Sequence, residues 1–225
     1  MQYFSNTAAT PGHSLRIPSG QVELEGELSV PLNATGVVLF AHGSGSSRHS
    51  PRNQFVARTI REAGVGTLLF DLLTQQEEAV DASTRHLRFD IGLLAERLVD
   101  ATHWIKNESS SAHLKVGYFG SSTGGGAALV AAAELGSEVG AVVSRGGRPD
   151  LAGDALPQVK SPTLLLVGEL DHPVIQMNEE ARSRMLCERQ LKIIPGATHL
   201  FEEPGTLEKV ARLAAEWFQR YLDHG

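Results

Sequence analysis

Apolar residues recur along this chain in two rhythms. Gln21–Pro31 alternates Val22, Leu24, Gly26, Leu28 and Val30 against Glu23, Glu25, Glu27 and Ser29, the period-two pattern of a half-exposed strand. With Ser14–Pro18 it predicts an opening antiparallel pair at the edge of a sheet. Farther on, Val37–Ala41, Thr67–Leu73, Val116–Phe119, Val139–Ser144 and Thr163–Val167 are short, continuous apolar runs, as parallel strands covered on both faces require. Helical periods fill the intervals at Asn53–Ala63, Asp90–Asn107, Thr123–Leu135 and Glu179–Cys187. A strand at Gln190–Ile194 then leads to a last helix near Leu207–Leu222. Thr74–Leu87 is the longest and most polar of the loop segments and reads as a loop, either solvated or forming a rim over a pocket.

Strands alternating with helices predict an α/β fold: a mostly parallel central sheet of about eight strands with helices on both faces. In such sheets functional residues sit on loops beyond the carboxyl ends of the strands. Repeats, low-complexity tracts and linkers are missing from the pattern, so residues 1–225 read as a single domain.

Composition narrows the function classes. A net charge of -6 and 20% charged residues, without a Lys/Arg-rich run, disfavour a polyanion partner such as nucleic acid. Cys187 is the lone cysteine, which excludes an intrachain disulfide and a cysteine-based zinc site. His13, His49, His103, His113 and His224 show no ligand spacing, so no metal is expected. Met1–Gly20 lacks the basic start and apolar stretch of a signal peptide, and no run reaches the ~18 apolar residues that span a membrane. A cytoplasmic protein acting without a membrane is the expectation; oligomeric state leaves no mark in the sequence.

The chemistry is concentrated at three strand ends. Gly120-Ser121-Ser122-Thr123-Gly124 matches G-x-S-x-G, follows a strand directly and opens an Ala-rich helix. That is the strand–turn–helix setting of a nucleophile elbow, in which a strained turn holds the serine hydroxyl out over the sheet. A serine hydroxyl needs a base within hydrogen-bond reach. His199, in Gly196-Ala197-Thr198-His199 after the strand Gln190–Ile194, supplies one. Asp171 follows the strand Thr163–Val167, beyond Gly168, and would orient His199; Glu169 is the rival carboxylate. The order Ser122, Asp171, His199 is the one an elbow of this kind uses. His42-Gly43-Ser44-Gly45 follows Val37–Ala41 and offers backbone N–H groups to an oxyanion, Ser44 from this loop and Thr123 from the elbow. A phosphate-binding reading fails, because position 48 of the G-x-G-x-x-G frame is Arg48 and neither glycine stretch carries G-K-[ST].

With these residues in place, the chain resembles the α/β-hydrolase superfamily over nearly its whole length, and within it the dienelactone hydrolase-like branch. Asp71, Ser144-Arg145-Gly146-Gly147 and Arg88-Phe89-Asp90 extend the likeness. The resemblance implies hydrolysis of a small carboxylic ester or thioester by water, with no cofactor. The branch carries a cysteine at the elbow and a glutamate where this chain has His42-Gly43, which argues against dienelactone itself as substrate. About eighteen residues separate Val139–Ser144 from Thr163–Val167, too few for a multi-helix cap. Arg145 and Arg148 fall at the active end, where either could bind a substrate carboxylate, Arg145 being the candidate taken forward, or instead pair with Asp150 or Asp154. An acyltransferase or small peptidase would use the same triad, and a binding protein on a retired scaffold is the non-enzyme alternative.

Overall fold

The structure, a computed structural model, describes residues 12–108 and 110–223. Much of the leader-free reading of Met1–Gly20, and His224, lie outside them. Eight strands form one sheet in the order β1-β2-β4-β3-β5-β6-β7-β8. They are β1 (His13–Ser19), β2 (Val22–Ser29), β3 (Gly36–Ala41), β4 (Gly66–Phe70), β5 (Lys115–Ser121), β6 (Val139–Arg145), β7 (Thr163–Gly168) and β8 (Arg189–Ile194). From β4 to β8 every pairing is parallel, and β1 and β2 join antiparallel. β2 pairs with both β1 and β4, so β1 and not β2 is the edge of the opening pair.

Among the described residues are six α-helices, most of them packed on the sheet: α1 (Pro51–Glu62), α2 (Gln75–Thr84), α3 (Ile91–Asn107), α4 (Thr123–Leu135), α5 (His172–Arg184) and α6 (Thr206–Leu222). Two buried apolar layers result. Leu94, Leu98, Ala101 and Ile105 of α3 join Ala127, Ala128 and Ala131 of α4 over one face. Val56 and Ile60 of α1 join Val210, Ala214, Trp217 and Phe218 of α6 over the other. The i, i+3, i+4 spacing makes α1, α3 and α6 amphipathic, whereas α4 is buried nearly all round, and each fully buried Leu, Ile or Phe contributes about 1.5–3 kcal/mol.

Two expectations are corrected. Thr74–Leu87 is a helix over Gln75–Thr84, not a loop. Thr74 and Glu77 form a capping box, and Arg85 ends the helix in the left-handed region at φ 56°. Its polar faces are held by ion pairs, Glu77 to Arg97 and Asp81 to Arg88, which apolar periodicity cannot register. The helix sought at Glu179–Cys187 begins earlier, at His172, where Pro173 suits the first turn, and ends at Arg184. A short 3-10 segment, Pro149–Gln158, is all that separates β6 from β7, so no cap domain stands there.

The chain leaves β3 toward β4 on one side and returns to β5 on the other. The order therefore reverses between β3 and β5, where a crevice opens beyond their carboxyl ends.

Candidate active site

Ser122 directly follows β5 and is the N-cap of α4 at φ 51°, ψ -124°, a conformation that costs an L-residue of order 1–3 kcal/mol. The surroundings hold it there. Its N–H donates to the Arg145 carbonyl at 3.3 Å, and its carbonyl accepts from Arg148 N and Gly125 N, both at 3.0 Å. The turn is also too tight for side chains. A β-carbon on Gly124 would sit 2.1 Å from the Ala41 oxygen, so glycine there is obligatory.

The base expected from the sequence, His199, lies on the loop after β8. His199 Nδ1 is 2.6 Å from Asp171 Oδ2. Glu169 points elsewhere and accepts from Gly196 N at 2.8 Å, bracing the same loop from below. Leu170 N to Ala197 O, at 3.0 Å, ties the two loops together. Phe201, fully buried at φ 55°, is an outlier for an aromatic residue; it anchors the loop two positions after His199. A β-carbon at Gly146 would lie 3.4 Å from the Phe201 ring and 3.5 Å from His199 Cε1. Gly146 follows Arg145, the residue whose carbonyl holds Ser122 N, so the segment that braces the elbow also packs against the His199 loop. Ser122 Oγ has no hydrogen-bond partner among the described residues, and such contacts commonly tighten only once substrate is bound.

On the opposite side, a β-carbon at Gly43 would lie 3.0 Å from Ser122 Cβ, which sets the β3 loop against the elbow. His42 fixes that loop. Its Nε2 accepts from Leu72 N at 2.9 Å, so Nδ1 carries the hydrogen that faces Gly43 O at 3.0 Å. Burial keeps the imidazole neutral by lowering its pKa, against smaller upward effects from the Gly43 carbonyl and Asp71. Arg48 closes the loop, with its amide donating to Asp71 Oδ1 at 2.7 Å and its guanidinium paired to Asp71 and Glu25. Sequence reasoning missed His42, Gly146 and Phe201 as positioning groups. The dipeptide His42-Gly43 at a strand end was the available signal.

Ser44 and Thr123 are adjacent, but the Ser44 amide is engaged, donating to Thr123 Oγ1 at 3.1 Å. Arg148 pairs with Asp150 through two hydrogen bonds, and Asp154 pairs with Arg184. Arg145 has neither acid. It is 8% exposed, its guanidinium carbon lies 5.9 Å from the Phe119 ring centroid, and Nη1 has no hydrogen-bond partner among the described residues. Burial, then the charge of Arg52, pushes its pKa down to about 10. Beside the β3 loop a cavity of ≈ 1110 Å³ is lined by Gly45, Ser46, Arg48, Asp71, Leu73 and the α2 residue Gln75, among others. None of the described helices is long and apolar enough to cross a membrane.

Comparison with known proteins bears on the fold and the family. The family model of the Dienelactone hydrolase family matches residues 24–224. The crystal structure of a dienelactone hydrolase from Anabaena variabilis is 62% identical, with a TM-score of 0.94, covering 95% of this chain and 100% of that one. An α/β serine hydrolase without lid from Xanthomonas campestris shares the fold at 20% identity and a TM-score of 0.76, covering 96% and 97% of the two chains. A Mycobacterium tuberculosis protein named "Putative phosphoribosyl transferase" is 55% identical over 210 residues, which are 93% of this chain and 46% of that protein. The chain thus spans about half the length of the curated relatives it matches. With a lidless α/β-hydrolase sheet and a strained serine at the end of β5, the chain belongs to the dienelactone hydrolase family.

Proposed function

We propose that the chain hydrolyses carboxylic esters or thioesters of small molecules through an acyl-enzyme on Ser122. The observation that carries the proposal is a strained Ser122 after β5 at the same end of the sheet as an Asp171–His199 pair at 2.6 Å on the loops after β7 and β8.

The roles follow from the bonds each atom already makes. Asp171 occupies His199 Nδ1, which leaves Nε2 as the base. Nε2 takes the Ser122 proton as Oγ bonds to the substrate carbonyl carbon, and Asp171 stabilises the imidazolium while remaining ionised. The carbonyl oxygen becomes an oxyanion, held by the amides of Thr123 and Ser44. As the intermediate collapses, the bond from carbon to the alcohol oxygen or thiol sulfur breaks, and His199 returns its proton to the departing group. Water repeats the cycle on the acyl-enzyme and releases the acid. No step calls for a cofactor. The cavity beside the β3 loop takes the remote part of the substrate, with the N-terminal turn of α2 as its rim. Arg145 is the group we assign to a substrate carboxylate, since its Nη1 is unspent while Arg48, Arg88 and Arg148 are each paired to carboxylates.

The Mycobacterium tuberculosis name does not redirect this reading. That protein is more than twice as long as the matched segment, and we assign the transferase chemistry of its name to the part this chain does not match. Turnover of p-nitrophenyl acetate and an acetyl thioester, with and without added alcohol or amine, tests the proposal. Free acid should be the dominant product; dominance of acyl transfer to the additive would mark a transferase.

A further inference from the structure

The Ser44 amide, the proposed second oxyanion donor, is already bonded in the resting enzyme. It donates to Thr123 Oγ1 at 3.1 Å. The same Thr123 oxygen lies 3.0 Å from Ser44 Oγ, and Ser44 Oγ lies 3.1 Å from the carbonyl oxygen of Arg88. Counting hydrogens sets the directions. A carbonyl can only accept, so the single Ser44 hydroxyl hydrogen goes to Arg88. The hydrogen between the two hydroxyls must then come from Thr123. Ser44 N–H donates to Thr123 Oγ1, Thr123 O–H donates to Ser44 Oγ, and Ser44 O–H donates to Arg88 O.

Three separate segments therefore meet at one hydroxyl. Thr123 opens α4 immediately after the nucleophile. Ser44 belongs to the β3 loop. Arg88 lies in the 3-10 turn Leu87–Phe89, which is itself anchored to buried Asp81 by Leu87 N at 2.7 Å and by the Arg88 guanidinium.

We infer that the Thr123 hydroxyl is a positioning residue for the oxyanion hole, clamping the β3 loop to the elbow so that the Ser44 amide is aimed before substrate arrives. The inference rests on the acyl-enzyme reading above. A hydrogen bond to a charged oxygen is about twice as strong as a neutral one. The developing oxyanion therefore draws the Ser44 N–H into a shared bond, while the hydroxyl-to-hydroxyl contact keeps the loop in register. The alignment is built during folding and not at the moment of reaction, which is where preorganised donors gain their effect. A group acting this way stabilises the transition state and leaves ground-state binding nearly unchanged.

The test compares Thr123→Val, which keeps the shape and removes the hydroxyl, with Thr123→Ser, which keeps the hydroxyl. For each, kcat and KM on p-nitrophenyl acetate are measured beside the inhibition constant of an alkylboronic acid, whose tetrahedral serine adduct places an oxygen in the hole. Thr123→Val should lose on the order of 10- to 100-fold in kcat, with KM within about threefold. Its boronate constant should weaken by the factor that kcat/KM falls, and Thr123→Ser, which restores the hydroxyl, should recover most of the kcat lost in Thr123→Val. If Thr123→Val does not fold, Ser44→Ala, which keeps the amide and cuts the relay, should lose several-fold in kcat alone. Unchanged or faster turnover without the hydroxyl, or a loss confined to KM, would overturn the inference and leave the acyl-enzyme standing. A wild-type protein inert to both ester and boronate would instead remove the acyl-enzyme reading, and this inference with it.

Discussion

Asp171 Oδ2 and His199 Nδ1 lie 2.6 Å apart, while Glu169, two residues before Asp171, turns to the Gly196 amide at 2.8 Å. Two carboxylates on one loop are thereby given different work. Asp171→Asn removes the charge that holds the tautomer and should lower kcat on the order of ten-thousand-fold, as the same change does in a serine protease. Glu169→Gln keeps an acceptor for Gly196 N and should cost less than about tenfold. Steady-state kinetics of both folded variants on one activated ester decide between them. A large loss at Glu169 with near-normal turnover at Asp171 would reverse the two roles.

His42 makes the stability of the loop depend on pH. Its folded pKa lies below the ordinary 6.5, with burial as the main cause, so between the two values the unfolded chain binds more protons. Its contribution is therefore fully present above about pH 6.5 and declines as pH falls through the window beneath. Urea unfolding at pH 7.5, 6.5 and 5.5 should show this decline, and His42→Gln should flatten it. His42→Ala should also cost ~1–3 kcal/mol at pH 7.5, because Leu72 N is left buried without an acceptor. A variant whose stability falls with pH as steeply as wild type would contradict the assignment.

Arg145 gives a prediction about substrate charge. Monomethyl glutarate and methyl pentanoate differ chiefly by a terminal carboxylate. Arg145→Gln should lower the ratio of their kcat/KM values by about tenfold, the scale of one charge-assisted contact. Measuring a ratio cancels any general loss from disturbing the packing against Phe119. A ratio unchanged within twofold would make the buried guanidinium a packing element only.

How legible all this was in the sequence varies with the physics of each element. The buried parallel strands were plain, because both faces must be apolar and the run is continuous; β5 and α4 fall where Val116–Phe119 and Thr123–Leu135 said. The strand ends and their order then pointed to Ser122, His199 and a carboxylate at Asp171 or Glu169 as the candidate triad. α2 was hidden, since its stability comes from a capping box and from ion pairs with Arg97 and Arg88, not from an apolar stripe; Thr74-x-x-Glu77 was the signal available. The choice between Glu169 and Asp171 needed the direction of each side chain, which two residues of spacing cannot give. The network linking Thr123, Ser44 and Arg88 was illegible for a further reason: its partners are brought together only by the order of the sheet.

The central claim is a covalent one, that Ser122 carries the acyl group. Intact-protein mass spectrometry after reaction with a fluorophosphonate probe, followed by peptide mapping, reads it directly. The account predicts one adduct per chain on Ser122, loss of that adduct in Ser122→Ala, and normal labelling of Ser121→Ala. Wild-type protein that hydrolyses esters yet carries its adduct on another residue, or an unabated adduct in folded Ser122→Ala, would contradict it.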